Sequence, residues 1–434
     1  MSIVEERIDL APVVRELREG GDEAIIARAH EVAERIAPRA AGYDREGVYP
    51  AESIEDIWSS GLAALTIPAE FGGVDASVST TARVVETLSI ADSATTLVLV
   101  WGFGQHRHIN APGSKWPEHW RRRVAQDALE GPALINALRV EPLLGTPARG
   151  GVPATTAVRT TTPDGSPAWR VNGHKIYCTG SYGLRWLPVW VATEPDDLEG
   201  LRVGTILIPA DAPGVEIVDT WDHLGMRASV GHDMIFTDVV VPIDNALDLQ
   251  PFTGTDPAMA LREDPGGVLA TANLLSLAVY TGAAKAARNW LVEFLNDRVP
   301  SNLGKPLSSL PRFQLAVGEL EALLYENERL LFGLAAEVDR RVRGQEAPGA
   351  SDGAARSSLV RSESSVIKHL VSRNVIQVTE IALSLTGNPG LSVHHPLQRH
   401  YRDALCSRVH TPQSDLVLTG LGRASLGLPG RESR

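Results

Sequence analysis

Apolar residues recur every three or four positions in AIIARAHEVAERIAPRA (residues 24–40) and in IEDIWSSGLAAL (54–65). That spacing predicts helices that bury one face. The helical texture runs from Asp22 to about Glu130, broken where IPAEFGGVDAS brings Pro and paired Gly. TTARVVETLSIADSATTLVLVWGFGQH (80–106) reads as a further helical run, and its end is apolar on nearly every face, which predicts burial. From about Gly131 to Asn245 the texture changes to short β-rich runs: ATTAVRTTT, AWRVNGHKIYCT, LPVWVAT, RVGTILIP, VEIVDTW and DMIFTDVVVP. Gly, Pro and Asp punctuate them, as in an antiparallel barrel or sandwich. VNG (171–173) has the composition of a hairpin turn. From about Gly266 to Leu426 three long helical segments return (269–298, 313–342 and 358–387), each long enough for a four-helix bundle. GQEAPGASDGAARSS (344–358) reads as a flexible link between two of them. Helices, then strands, then helices argue for segregated layers and against alternating βαβ units. The expected fold is α+β, with an all-α domain over 1–130, an antiparallel β-barrel over 131–245 and a four-helix bundle over 246–434.

Composition narrows the chemistry. The chain has 434 residues, 43% hydrophobic and 22% charged, with a net charge of -12. Its arginines are scattered; the Arg121–Arg122–Arg123 cluster after Trp120 reads as a solvated helix face, so no nucleic-acid partner is expected. Cys178 and Cys406 are far apart, and no Cys/His spacing suits a metal. This usage fits a reducing, cytoplasmic setting. The charged N-terminus lacks a signal core, and no apolar run of about 18 residues predicts a membrane span. No Walker loop occurs, and no GxGxxG joins a strand to a helix, so a Rossmann nucleotide site is unsupported.

Several motifs fall in one order along the chain. GLAALTIPAEFGG, VEPLLGT, WRVNGHKIYCTGS, WDHLGMRAS with FTDVVVP, Arg298 followed by LGKPLSSLPRFQ, and TGNPGLSVHHPLQRHYRDA together resemble the acyl-CoA dehydrogenase family over nearly the whole chain. The resemblance implies the helix–barrel–bundle fold, a flavin cofactor and a homotetramer. Tyr177 and Thr179 alternate along a predicted strand and so face the same way. By themselves they read equally as ordinary core residues; the resemblance implies a ring against the isoalloxazine and a hydroxyl near its reactive nitrogen. Arg298 ends a helix before Pro300, where it could answer the helix dipole. The resemblance implies instead that Arg298 and Gln314 hold flavin phosphate across a subunit interface. Gly387 and Asn388 stand where dehydrogenases carry a double-Gly turn near the adenosine diphosphate half of FAD. Asn in place of the second Gly favours FMN over FAD.

The chain departs from the dehydrogenases at their catalytic glutamate. Counting from Arg402-Asp403-Ala404, His410 falls on the family's Tyr and Thr411 on its Glu. A threonine hydroxyl is far too weak a base to abstract a proton near neutral pH. The alternative position, in LLSLAVYTGAAKAA, holds no acidic residue. The insertion ARGGVPATT also puts a conventional acyl-CoA channel in doubt. His410-Thr411-Pro412, Asn136-Ala137-Leu138 and Cys178-Thr179-Gly180 instead resemble the two-component flavin monooxygenases of this fold, such as dibenzothiophene monooxygenase and the amine N-hydroxylases. These take reduced FMN from a separate flavin reductase and oxygenate a small molecule through a flavin C4a-(hydro)peroxide. The resemblance implies His410, Asn136 and His106 as catalytic residues. His106 competes with Trp101 and His108 for the substrate-pocket position on its helix. The rival readings are an FAD-dependent acyl-CoA dehydrogenase with a displaced base and a non-catalytic subunit.

Overall fold

The computed structural model describes residues 8–144, 151–194, 200–252, 268–342 and 353–428. The first layer is helical: α1 (Ala11–Glu46), α2 (Ala51–Ser59), α3 (Val78–Ala91), α4 (Ser93–Ile109) and α5 (Glu118–Glu130). α1 begins well before Asp22 and bends at Gly21, whose backbone leaves the helical region. The run read as one helix over 80–106 is two. Asp92 is extended, and its carboxylate accepts from the Ala94 and Thr95 amides, so it stops α3 and caps α4.

The strands are β1 (Leu134–Ile135), β2 (Thr156–Thr161), β3 (Pro167–Lys175), β4 (Leu184–Thr193), β5 (Arg202–Pro209), β6 (Val215–Val218), β7 (Asp233–Pro242) and β8 (Gln250–Pro251). They form one sheet in the order β6-β7-β3-β2-β4-β5-β8, with β1 beside β4. The expected all-antiparallel arrangement is corrected: β1 and β2 both pair with β4 in parallel. VNG is not a turn either. It lies inside β3 at an irregularity between Val171 and Gly173, and the β2–β3 turn is Thr162–Ser166. Gly173 is needed there because a Cβ would come within 2.4 Å of Thr155 Oγ1. Under the sheet, fully buried Lys175 donates to Glu141 (2.6 Å) and to the Trp190 carbonyl (2.6 Å). Glu141 also accepts from Ala154 and Thr155. That part of the ARGGVPATT insertion is therefore stitched to the sheet, while Ala148–Gly150 lie outside the described residues.

The second helical layer holds α6 (Val268–Asp297), α7 (Pro311–Val342), α8 (Gly353–Thr386), α9 (Asn388–Leu391), α10 (Leu397–Leu405) and α11 (Ser414–Ser425). Helix α8 starts at Gly353, so the last six residues of the expected link are helical backbone; 344–352 lie outside the described residues. Asn273 meets Ser364 near the start of α6 and α8, and His395, just beyond α8, packs its ring on Trp290 near the end of α6. The two helices therefore run parallel, with α7 antiparallel to α6 through Lys285–Glu328 and Arg288–Glu321.

Helix α10 locks the layers together. Buried Asp403 accepts from the Met226 amide (2.6 Å) in the strand region and from Ser93 Oγ (2.7 Å) at the start of α4. Arg402 pairs with Asp44 of α1 and donates to the Leu224 carbonyl (2.7 Å). These bonds fix the start of the segment that carries His410.

Candidate functional site

Three expected site residues, Asn136, Thr179 and His410, come together around one face of α4. Val98, Trp101 and Gly102 are three or four residues apart and share that face. A Cβ on Gly180 would reach within 2.9 Å of Val98 Cγ1, which with its φ of 76° makes glycine the fitting residue beside Thr179. Gly102 approaches the Ile135 carbonyl, next to Asn136. Trp101 packs on the His410 ring, with centroids 5.6 Å apart.

On the sheet side, β3 ends at Lys175, so Tyr177 and Thr179 do not alternate on a strand as expected. Tyr177 takes a left-handed backbone (φ 58°). The segment is held by Ile176 N to Val140 O, Cys178 N to His232 O and Gly180 N to Ser229 O. This geometry leaves the Tyr177 ring 53% exposed, edge-on to Trp221 and His223, which stack on each other at 3.7 Å. Asn136 Nδ2 donates to the Thr179 carbonyl (3.2 Å), fixing those two residues relative to each other.

On the helix side, half-buried His410 is hydrogen-bonded through Nε2 to the Tyr280 hydroxyl. Burial, and secondarily the Lys368 ammonium, lower the His410 pKa to about 4, so the ring is neutral near pH 7. Lys368 is itself buried, and burial lowers its pKa to about 8. It reaches the Arg408 carbonyl (3.5 Å), and Ser372 donates to the Ser407 carbonyl (3.3 Å), so α8 supports the segment before His410.

The remaining expected residues lie elsewhere. His106 faces a separate cavity of about 20 Å³ lined in part by Trp58, Phe103 and Ile135. It is 4% exposed, its Nδ1 has no hydrogen-bond partner, and burial lowers its pKa to about 4. Of the α4 candidates, Trp101 is the one that reaches His410. Arg298, Gln314, Gly387 and Asn388 gather at the far end of the bundle. Arg298 and Gln314 are exposed and meet at one corner, where the Arg298 carbonyl accepts from Leu307 N and Gln314 donates to Ser308 O. Gly387 and Asn388 open α9 at the matching end of α8. Arg298 lies 18 residues beyond Tyr280, about 27 Å along α6.

Sequence reading missed Tyr280, Trp221 and His223. Tyr280 is the one aromatic in the apolar run LLSLAVYTGAA, a signal that could have singled it out. Among the described residues, no group of three or more His, Cys, Asp or Glu side chains could hold a metal ion, and no helix is long and apolar enough to cross a membrane.

The exposed Tyr177 ring, two residues before Thr179 and its bond to Asn136, suits a flat, polar-edged heterocycle such as a flavin. Comparison with known proteins points the same way. Residues 21–115 match the acyl-CoA dehydrogenase N-terminal domain model, and residues 274–414 match the C-terminal domain model. The Bacillus subtilis (strain 168) protein YdbM, provisionally named an acyl-CoA dehydrogenase, is 31% identical over 89% of this chain and 92% of its own. L-evernosamine nitrososynthase of a Micromonospora species is 25% identical over 88% of this chain and 84% of its own. The crystal structure of FMN-bound TdsC from Paenibacillus sp. A11-2 superposes with a TM-score of 0.80 at 22% identity, covering 94% of this chain and 99% of that one.

Proposed function

Because the chain belongs to the acyl-CoA dehydrogenase family, we propose that it is a flavin-dependent oxidoreductase of the two-component monooxygenase type. It uses reduced FMN, delivered by a separate flavin reductase, and O2 to oxygenate a sulfur, nitrogen or carbon centre of a small organic molecule. The observation that carries the reading is the His410–Thr411 pair where dehydrogenases place their glutamate, with His410 held neutral between Tyr280 and Trp101. Removal of the proton α to a thioester needs a carboxylate or comparable base, and a neutral imidazole with a pKa of about 4 is a poor one. The nitrososynthase relative and the TdsC fold add support, since both names describe oxygen chemistry on small molecules.

When bound, reduced FMN supplies the electrons that activate O2. Tyr177, with Trp221 and His223 behind it, offers the flat surface for the ring system. Thr179, tied to Asn136, places a hydroxyl and an amide at one edge. His410 would contribute a neutral donor, and Trp101, packed on its ring, would help keep water out, which limits unproductive loss of reducing equivalents. The separation between Tyr280 and Arg298 exceeds the length of FMN. In this reading Arg298, Gln314, Gly387 and Asn388 would serve a flavin bound by a neighbouring subunit, in keeping with the homotetramer that the resemblance implies.

A second reading, an FAD-dependent acyl-CoA dehydrogenase with a displaced base, is favoured by the YdbM similarity. Purification and turnover separate the two. A colourless protein that consumes O2 and forms an oxygenated product only when a flavin reductase is present supports the proposal. A yellow protein with tightly held FAD that reduces an acceptor dye with acyl-CoA overturns it.

A further inference from the structure

Tyr280 sits in the most densely buried stretch of α6, with 1% of its surface exposed. Its hydroxyl has one partner, His410 Nε2, from a residue 130 positions away. Burial raises the phenol well above its ordinary titration range, so Tyr280 stays protonated. A protonated phenol in a single contact can donate or accept. If it accepted from Nε2–H, its own proton would be buried with no acceptor, at a cost of about 1–3 kcal/mol. Donation leaves nothing unpaired. A neutral imidazole that accepts at Nε2 carries its proton on Nδ1. Among the described residues that nitrogen makes no hydrogen bond, and it is not among the sealed polar atoms that lack partners, so it is not shut off from solvent. Trp101 packs on the ring from the α4 side, and Lys368 supplies the nearby positive charge that disfavours a second proton.

We propose that Tyr280 is a positioning residue that locks His410 in the neutral Nδ1–H tautomer, so that His410 presents a hydrogen-bond donor, not a base, to the flavin–substrate space. The tautomer assignment stands on the apo geometry alone; its use in turnover rests on the monooxygenase reading above. Tyr280 touches no reacting atom itself. It acts through the ring it orients, as a carboxylate orients a catalytic or metal-binding histidine elsewhere.

The test is a long-range proton–nitrogen correlation on apo protein labelled with [15N]histidine at pH 7. The His410 signals are assigned as those lost in His410→Asn. In the wild type, His410 should show a protonated Nδ1 and an unprotonated Nε2. In Tyr280→Phe the pattern should shift to a mixture or to Nε2–H. Wild-type His410 in the Nε2–H form overturns the proposal, whether or not the variant folds, and so does an unchanged tautomer in folded Tyr280→Phe. A second arm uses substitution geometry: an Asn amide nitrogen falls near the Nδ1 position and a Gln amide nitrogen near Nε2. Both variants should form less product per reduced flavin than the wild type, with His410→Gln about tenfold below His410→Asn, the equivalent of one hydrogen bond. The reverse order overturns the proposal. If the wild type oxygenates nothing, the monooxygenase reading fails while the nitrogen spectra still decide the tautomer.

Discussion

His106 makes the folded protein sensitive to acid by an amount the structure allows to be worked out. The imidazole is 4% exposed, faces an apolar cavity and has a pKa lowered to about 4 by burial, against 6.5 in an unfolded chain. The folded-state value is depressed, so the stability this group allows is fully present above pH 6.5 and is lost as pH falls toward 4. At pH 7 both states are mostly neutral. At pH 5 the unfolded ring is almost fully protonated while the folded one is not. Integrating proton uptake between those limits gives a loss of about 2 kcal/mol from this residue. His410 acts in the same direction. Asp403 acts in the opposite one, because burial raises its pKa to about 6 and the folded state then takes up its proton first as pH falls. Both effects cancel when a variant is compared with the wild type. His106→Leu keeps the volume, stays apolar and cannot titrate. Urea unfolding at pH 7 and pH 5, at one protein concentration, should show the wild type losing about 2 kcal/mol more than His106→Leu across that interval. Equal losses in the two proteins would refute a neutral buried His106.

Other perturbations test other parts of the argument. Lys175→Met leaves the Glu141 carboxylate buried beneath the sheet without its counter-ion; it should cost about 3–5 kcal/mol in urea unfolding, with Glu141→Gln in the same chain restoring part of the loss. His410→Ala should lower oxygenated product per reduced flavin and raise hydrogen peroxide release; an unchanged ratio removes His410 from the chemistry. Arg298→Gln should weaken FMN binding at least tenfold in a fluorescence titration, the loss expected when a bidentate guanidinium–phosphate contact goes, while sparing riboflavin; a monomeric protein in sedimentation that binds FMN as tightly as the wild type would sink the shared-site reading.

Most of the element sequence was legible because period and length carry it. ATTAVRTTT, LPVWVAT, RVGTILIP and DMIFTDVVVP each fall on a strand, and the three long apolar-periodic runs after residue 266 each fall on a helix. What failed was local chemistry outweighed by tertiary contact. Asn172-Gly173 has hairpin composition, yet it stays in β3 because Thr155 needs the space a side chain would fill. Asp92-Ser93 did carry a legible helix-start signal, hidden inside a run whose apolar spacing continues across it. The site split along the same line. Motif order placed Thr179, Asn136 and His410, which the fold brings around α4. Nothing local could pair His410 with Tyr280, or turn Tyr177 outward against Trp221 and His223, because those contacts join distant segments.

The assignment of chemistry depends on whether any carboxylate could replace the missing glutamate, and the deeply buried carboxylates among the described residues are each already engaged. Glu86 is paired with Lys285 and Arg83 between α3 and α6. Asp92 caps α4 and accepts from Thr95 Oγ1. Glu141 accepts from Lys175, Ala154 and Thr155. Asp44 holds Arg402, and Asp403 holds Met226 and Ser93. Recruiting Asp92, Glu141 or Asp403 as a base would strip its partners and leave buried donors unsatisfied, at about 1–3 kcal/mol for each donor. Of these five, Asp403 lies closest in sequence to His410, and burial raises its pKa to about 6. Its two oxygens are nevertheless spent on bonds that join the strand region and α4 to the segment carrying His410. Asp403→Asn in an active preparation therefore separates the two chemistries. Oxygenation that persists with a lowered melting temperature fits a structural Asp403 and a neutral His410, whereas an acyl-CoA-dependent dye reduction abolished by this change would make Asp403 the displaced base.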